Sequence, residues 1–304
     1  MHEGKQHGLS DCYSLILGNC DLYNLIICPD SSSNDYQEHQ TLDEAGVGVL
    51  VLDHHLADHI SENAIIINNQ LSDYPNKELS GVGVTWQFCR YIDSILKTNY
   101  ADNFIDLVAL GLCADMMSLR SFETRQLITK GFKKDNIKNP FIDYMIDKNS
   151  FPLSKADYIS ADSDMSCTSI GAAFFIVPFV NAITRSGTIE EKYLLFNSML
   201  NHKAFQKVIS TKRGHKLGEQ EQLILQAIRI VTNVKNRQTR AEEAGLEMLE
   251  KMIETNHMLE HKILLFLLKP GQIDPEIRGL IANKFMAKYQ RPCCLLTRTN
   301  RNGE

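Results

Sequence analysis

Short apolar runs alternate with amphipathic stretches through the first third of the chain, and that alternation predicts a parallel sheet. Leu25-Ile26-Ile27-Cys28 is one such run, ended by Pro29-Asp30. Polar residues at helical spacing follow from Asn34 to about Ala45, with Gly46 as a C-cap. Val49-Leu50-Val51-Leu52 is a second run, ended by Asp53-His54-His55, and Ala64-Ile65-Ile66-Ile67 is a third. Continuous apolar runs of this length, separated by helices, belong to buried parallel strands. In such open sheets the ligand site lies outside the carboxyl ends of the strands. Asp30 and Asp53-His54-His55 fall there.

Helical patterns follow. One runs from Gly83 to about Leu96, a second and almost wholly apolar one from Phe104 to Met117, and a third over about Ser121–Phe132. After Pro140 the character changes. Residues 150–168 are polar and irregular, and the apolar block Ile170–Val180 is broken by Pro178. A long polar helix is predicted from about Leu217 to Glu254, and its length without proline marks it as a connector between lobes. Ile263–Leu268, Glu276–Tyr289 and Cys293–Leu296 then read as one βαβ unit.

Composition narrows the class. The 304 residues allow about two domains, or one large α/β unit with a helical annex. Hydrophobic residues make up 43% and charged residues 23%, which excludes a disordered or low-complexity chain. No run of 18 apolar residues predicts a membrane span, and Met1–Lys5 lacks the apolar core of a signal peptide. The net charge of −5 gives no global attraction to nucleic acid, although a local basic groove remains compatible with it. The eight cysteines form no C-x-x-C pair, so they read as buried free thiols in a reducing cytoplasm.

Asp53-His54-His55 is the sharpest local feature. Two adjacent histidines after a strand point in different directions, so one can ligate a metal while the other faces a substrate. A carboxylate beside them can fix an imidazole tautomer. Asp30 holds the equivalent position on the preceding strand. Asp115 is a lone acid in the apolar segment Leu110–Met117, and a buried carboxylate calls for a cation. Two carboxylates and a histidine suit Mn²⁺ or a similar ion. The plainer alternatives are a helix N-cap for Asp30 and a structural ion pair for Asp115.

These residues, in this order, resemble the DHH phosphoesterase superfamily, and within it the RecJ-type single-strand-specific 5′→3′ exonucleases. The segment His2–Leu9 resembles the stretch preceding the family's second motif, and Cys28-Pro29-Asp30 resembles that motif. Leu52-Asp53-His54-His55 is the name-giving third. Leu79–Val84 resembles the glycine-containing turn that opens the next helix, and Gly111–Met116 the fourth motif. Val177–Arg185 resembles the P-x-x-N-A-x-x-R segment, and Ile277–Lys284 the opening of the C-terminal DHHA1 domain.

The resemblance implies an α/β fold: a parallel-sheet core with helices on both faces, a long connector helix and a partial DHHA1 domain. The expected division is 1–135, 136–258 and 259–304. It also implies two-metal phosphodiester hydrolysis using Mn²⁺, with Mg²⁺ as the alternative. Asp30 would bridge the two ions, and His54 and Asp115 would ligate one of them. His55 would contact the scissile phosphate, Asp53 would orient its neighbours as part of the catalytic set, and Arg185 would clamp a substrate phosphate. The implied substrate is single-stranded DNA in repair and recombination, with replication or repair proteins as partners and no membrane.

The chain departs from the family at its first motif and in the glycine-rich, phosphate-binding segment expected of the DHHA1 domain past Arg301. The D-x-D pair expected on a strand before Asp30 is absent, and Asp162-x-Asp164, the only such pair, reads as loop charge. Both ends look cut relative to the family, so activity of this polypeptide alone is expected to be weak. His7 and His2 are the candidate substitute ligands, against a flexible N-terminal tail as the default. Lys212–Lys216 and Lys235–Gln238 read as solvated faces or as contacts to a nucleic-acid backbone. Trp86 and Phe88 read as core. The rival functions are a catalytically inactive DHH protein that binds nucleic acid or a replication partner, and a small DHH phosphodiesterase acting on short oligonucleotides or cyclic dinucleotides.

Overall fold

The computed structural model describes residues 7–156, 163–214, 216 and 218–297. The chain enters through a short helix, α1 (Tyr13–Leu17), and then forms three parallel strands in sequential order: β1 (Leu25–Pro29), β2 (Gly48–Asp53) and β3 (Ile65–Asn68). Helix α2 (Tyr36–Glu44) makes the first crossover. The register sets Cys28 opposite Val51, Leu52 opposite Ile67 and Asp53 opposite Asn68. β2 is central, and every residue from Val49 to Asp53 is buried. Val49 and Val51 pack with Cys28, with Leu42 of α2 and with Leu9. The sheet is also packed by α3 (Gly81–Leu96), which meets β1 and β2. A strand covered on both faces has no use for alternating polarity, which is why this one reads as an unbroken apolar run.

From Leu9 onward the N-terminal segment is folded, contrary to the expectation of a flexible tail. Leu9 is only 2% exposed and joins the core behind the sheet.

A second, larger core runs from Leu79 to Val234. It gathers α3, α4 (Ile105–Ala114), α5 (Phe122–Gly131), α6 (Pro140–Lys148) and α7 (Ser150–Ala156). It continues through α8 (Ser169–Phe175), α9 (Val177–Ser186), α10 (Ile189–Ser198) and α11 (Asn201–Ala204). Trp86 is core, as expected, and its Nε1 donates to the Ala101 carbonyl at 2.9 Å. The apolar block around Pro178 is two helices that break at Ile176, with proline in the first turn of the second. The stretch after residue 150, which reads as irregular, begins with α7. Asp162 lies outside the described residues, while Asp164 pairs with Lys133 at 2.7 Å on the surface.

The long helix α12 begins at Leu223 and ends at Thr255, later than the expected start near Leu217. The reason is a small antiparallel hairpin, β4 (Lys207–Ile209) with β5 (Gln220–Gln222), whose three-residue polar strands carry no periodic signal. α12 also has a buried stripe: Ile224, Ala227, Val231 and Val234, then Gln238, Glu242 and Gly245, then Leu249 and Ile253. Its first part belongs to the large core. Leu249 and Ile253 belong to a third core, with β6 (Leu264–Leu268), α13 (Pro275–Tyr289) and β7 (Cys293–Thr297). β6 and β7 pair in parallel, which confirms the βαβ unit. Cys28, Cys113 and Cys167 are buried free thiols, whereas Cys89 and Cys294 are exposed, against the expectation of burial. Arg237 is committed within the protein, through an ion pair to Glu191 at 2.9 Å.

Asp106 ties α4 to the start of α6. Its buried carboxylate accepts the N–H groups of Lys138 and Asn139 at 2.8 and 2.7 Å. Burial pushes its pKa above the ordinary 3.8, although backbone donors from Asn139, Lys138 and Leu107 oppose the rise. Removing the carboxylate takes the acceptor from three backbone donors, the N–H groups of Leu107, Lys138 and Asn139. Asp106→Ala is therefore expected to lower unfolding free energy by about 3 kcal/mol in urea titration. The folded state binds the Asp106 proton more tightly than the unfolded state. This group's contribution therefore falls as pH rises from the unfolded value through the folded one. The stability gap between wild type and the non-titrating Asp106→Asn should shift against wild type over that window. A flat difference would contradict this reading.

Candidate metal centre

β1 and β2 end side by side, so their terminal residues share one edge of the sheet. Asp30 follows β1 directly. Its backbone N–H donates to the Leu52 carbonyl at 2.8 Å, and its φ of +62° turns the chain sharply there. Asp tolerates this left-handed region better than most residues. Ser32 and Met116 also have positive φ, at 77° and 53°, so three of the six such non-glycine residues among those described flank one place. Held strain of this kind gathers at functional sites.

Asp53 closes β2 and is 1% exposed. Its Oδ1 accepts the backbone N–H of His54 at 2.8 Å, that of His55 at 3.3 Å, and His55 Nδ1 at 2.7 Å. Its Oδ2 accepts the Ser33 N–H at 3.3 Å. Burial alone would raise its pKa. The His55 ring, the Ser33 side chain and the His54 amide overcome that and hold it below the ordinary carboxylate value. Asp53 thus stays ionised and fixes the His55 ring through Nδ1. That leaves Nε2, on the opposite edge of a half-exposed ring, for a substrate.

His54 turns the other way. Its Nε2 lies 3.2 Å from Asp30 Oδ1. The contact is an ion pair by distance, but Oδ1 is a buried atom outside any aligned hydrogen bond. Contact with the Asp30 carboxylate raises the His54 pKa, burial opposes it, and the charges of Asp115 and Asp53 add to the rise. One ligand atom each from Asp30, His54 and His55 lies within 4.8 Å of the others. An octahedral ion with bonds of about 2.1 Å places adjacent ligand atoms about 3 Å apart, so the Asp30–His54 spacing suits a shared cation.

Asp115 caps the carboxyl end of α4. That is the negative end of the helix dipole, an unfavourable place for a carboxylate. Burial raises its pKa, the Asp30 charge raises it further, and His54 and His55 pull it back. It forms no ion pair with Lys or Arg among the described residues, so the structural ion-pair reading fails. The N-cap reading of Asp30 fails too, since Asp35 stands at the N-cap of α2. Glu78 accepts the Ser118 N–H at 3.1 Å and ties the chain beyond Asp115 to the turn before α3.

Arg185 lies exposed in the last turn of α9, and no hydrogen bond or ion pair joins it to this cluster among the described residues. Asn68 escaped the sequence reading, and Gly81 entered it only as part of the glycine-containing turn before α3. Asn68 donates to the His55 carbonyl and to Ser33 Oγ, both at 2.9 Å, and its strand register opposite Asp53 was the available signal. Gly81 opens α3 against Asp30, where a Cβ would stand 2.2 Å from Asp30 Oδ1. Only glycine lets the helix approach that carboxylate.

Asp30, with a buried unpartnered oxygen, and a pair of oriented imidazoles form a donor set that fits a divalent cation; Asp115 lies outside this convergent group, near enough for the Asp30 charge to raise its pKa. The chain's likenesses agree with this arrangement. Residues 4–112 match the DHH family, N-terminal domain. The chain is 34% identical over 305 residues to YorK of Bacillus subtilis (strain 168), a protein from the SPbeta prophage named as a single-strand DNA-specific exonuclease; the match takes in 100% of this chain and 50% of that one. It is 26% identical over 277 residues to the single-stranded-DNA-specific exonuclease RecJ of Bacillus subtilis (strain 168), covering 90% of this chain and 30% of the relative. A crystal structure of exonuclease RecJ bound to manganese superposes with a TM-score of 0.65 at 20% identity, over 93% of this chain and 63% of that one. The chain therefore spans half the length of YorK and less of RecJ. Motifs, sheet and matched relatives converge: residues 4–112 match the DHH family's N-terminal domain, and the chain as a whole is similar to YorK and to RecJ.

Proposed function

We propose that this chain is a RecJ-like 5′→3′ exonuclease acting on single-stranded DNA, with Mn²⁺ (or Mg²⁺) held by Asp30, His54 and Asp115. The observation that carries the proposal is the convergence of Asp30, His54 and His55 within 4.8 Å at the ends of adjacent parallel strands; Asp115 stands outside that group and is joined to it by the charge of Asp30. The names of the relatives supply the substrate class, and the manganese-bound RecJ structure supplies the ion. Bound at such a site, divalent cations activate water and stabilise the leaving oxygen of an in-line displacement.

The protein's own contribution is positioning. Asp53 holds the His55 ring so that Nε2 meets a phosphate oxygen. Asp30 and Asp115 hold negative charge where a cation offsets it. Arg185 meets a more distant substrate phosphate, an assignment that rests on the P-x-x-N-A-x-x-R resemblance alone. We also propose the division 1–135, 136–258 and 259–304. The core of β6, α13 and β7 supports a separate C-terminal unit, although it takes in Leu249 and Ile253 at the end of α12, and the first boundary falls within a continuous core. The free cysteines support a reducing, cytoplasmic setting.

Calorimetric titration with Mn²⁺ and a gel assay of end-labelled single-stranded DNA test this directly. Wild type should bind Mn²⁺ and degrade the strand in a Mn²⁺-dependent manner. His54→Ala should weaken ion binding at least tenfold and abolish degradation. Undiminished cleavage by His54→Ala would refute the assignment, and strand binding without metal-dependent turnover would favour a non-enzymatic binding protein.

Gly81→Ala forces the Asp30 carboxylate to move. Because the clash is local, it should weaken Mn²⁺ binding roughly tenfold with little change in the far-ultraviolet circular dichroism. Unchanged ion affinity would show that Asp30 is not held as described.

A further inference from the structure

We propose that His7 is a substrate-contact residue of this site, its imidazole donating to a phosphate oxygen of the strand beside His55. The inference deepens the nuclease reading and rests on it.

The position of His7 is determined by its neighbours. Leu9 is anchored in the core, and its backbone N–H points to Ser32 Oγ at 3.0 Å and to Asp35 Oδ2 at 2.8 Å. Gly8 turns the chain with a φ of +85°, and a Cβ there would stand 2.8 Å from Asp35 Oδ2. Left-handed backbone and close approach together require glycine at that position. The His7 backbone N–H is held in turn by the Asp11 carboxylate. This turn, set on the loop that follows Asp30, brings the His7 ring edge-on to His55, with centroids 5.2 Å apart and planes at 71°.

His7 is exposed, and its ring makes no hydrogen bond among the described residues. It stands outside the group whose ligand atoms converge on one point. Its exposure beside the half-exposed His55 ring leaves it open to a bound strand. A neutral imidazole keeps one N–H in either tautomer, so it can donate to an anionic oxygen without gaining a proton. Two neighbouring imidazoles, one fixed by Asp53 and one by the Gly8 turn, form a cradle that suits a phosphodiester.

The test measures binding separately from turnover. A phosphorothioate single-stranded oligodeoxynucleotide is titrated by fluorescence anisotropy in Mn²⁺ against wild type, His7→Ala and His7→Gln, with Mn²⁺ affinity and thermal midpoint measured in parallel. His7→Ala should weaken strand binding about tenfold, the scale of one hydrogen bond to a charged group. His7→Gln, which keeps an N–H donor, should recover most of it, and Mn²⁺ affinity and the thermal midpoint should not move. Unchanged strand binding by His7→Ala would overturn the role of His7 alone. Loss of Mn²⁺ affinity would make it a cation ligand and also overturn the proposal. Absence of strand binding by wild type would overturn the nuclease reading, and the role of His7 with it.

Discussion

The buried carboxylate of Asp53 is the interaction on which the site depends. A charge at 1% exposure survives only with full compensation, and here the compensating donors are the groups the site must orient. The His54 and His55 amides and the His55 ring converge on one oxygen, and the Ser33 amide meets the other. Asn68 then secures the same loop from the neighbouring strand. The order Asp-His-His is therefore a folding instruction. The acid turns the backbone, the turn separates the two rings, and one ring faces Asp30 while the other faces outward.

The opposing constraint is uncompensated negative charge. Asp30 keeps one oxygen buried without an aligned donor, and Asp115 sits at the negative end of α4 under desolvation. His54 answers only part of that charge. Two carboxylates brought together by α3, α4 and the sheet make sense as a cation site, and Gly81 shows how closely the packing is drawn around it. The fold tolerates this local cost because three apolar cores stabilise the rest of the chain.

Much of this was legible in the residues. The strands after which Asp30 and His54 fall are unbroken apolar runs, and position at a strand end already implies a site. Asp115 stood out because an acid in an apolar helix is expensive. Other features were silent for physical reasons. The β4–β5 hairpin is too short and polar for any period to register. The N-terminal turn is held by Leu9 and a left-handed glycine, two residues with no periodic pattern around them. The buried stripe of α12 includes Gln238 and Glu242, so it reads as polar. Arg185 could be named from its motif, but no spacing in the sequence says how far α9 lies from the strand ends.

The central claim is that Asp30, His54 and Asp115 converge on one cation. Anomalous diffraction from crystals of the chain soaked in Mn²⁺ tests it most directly. The account predicts a peak within bonding distance of Asp30 and His54 and beside Asp115, lost in His54→Ala crystals. A peak elsewhere, or no peak in well-ordered crystals, would contradict it.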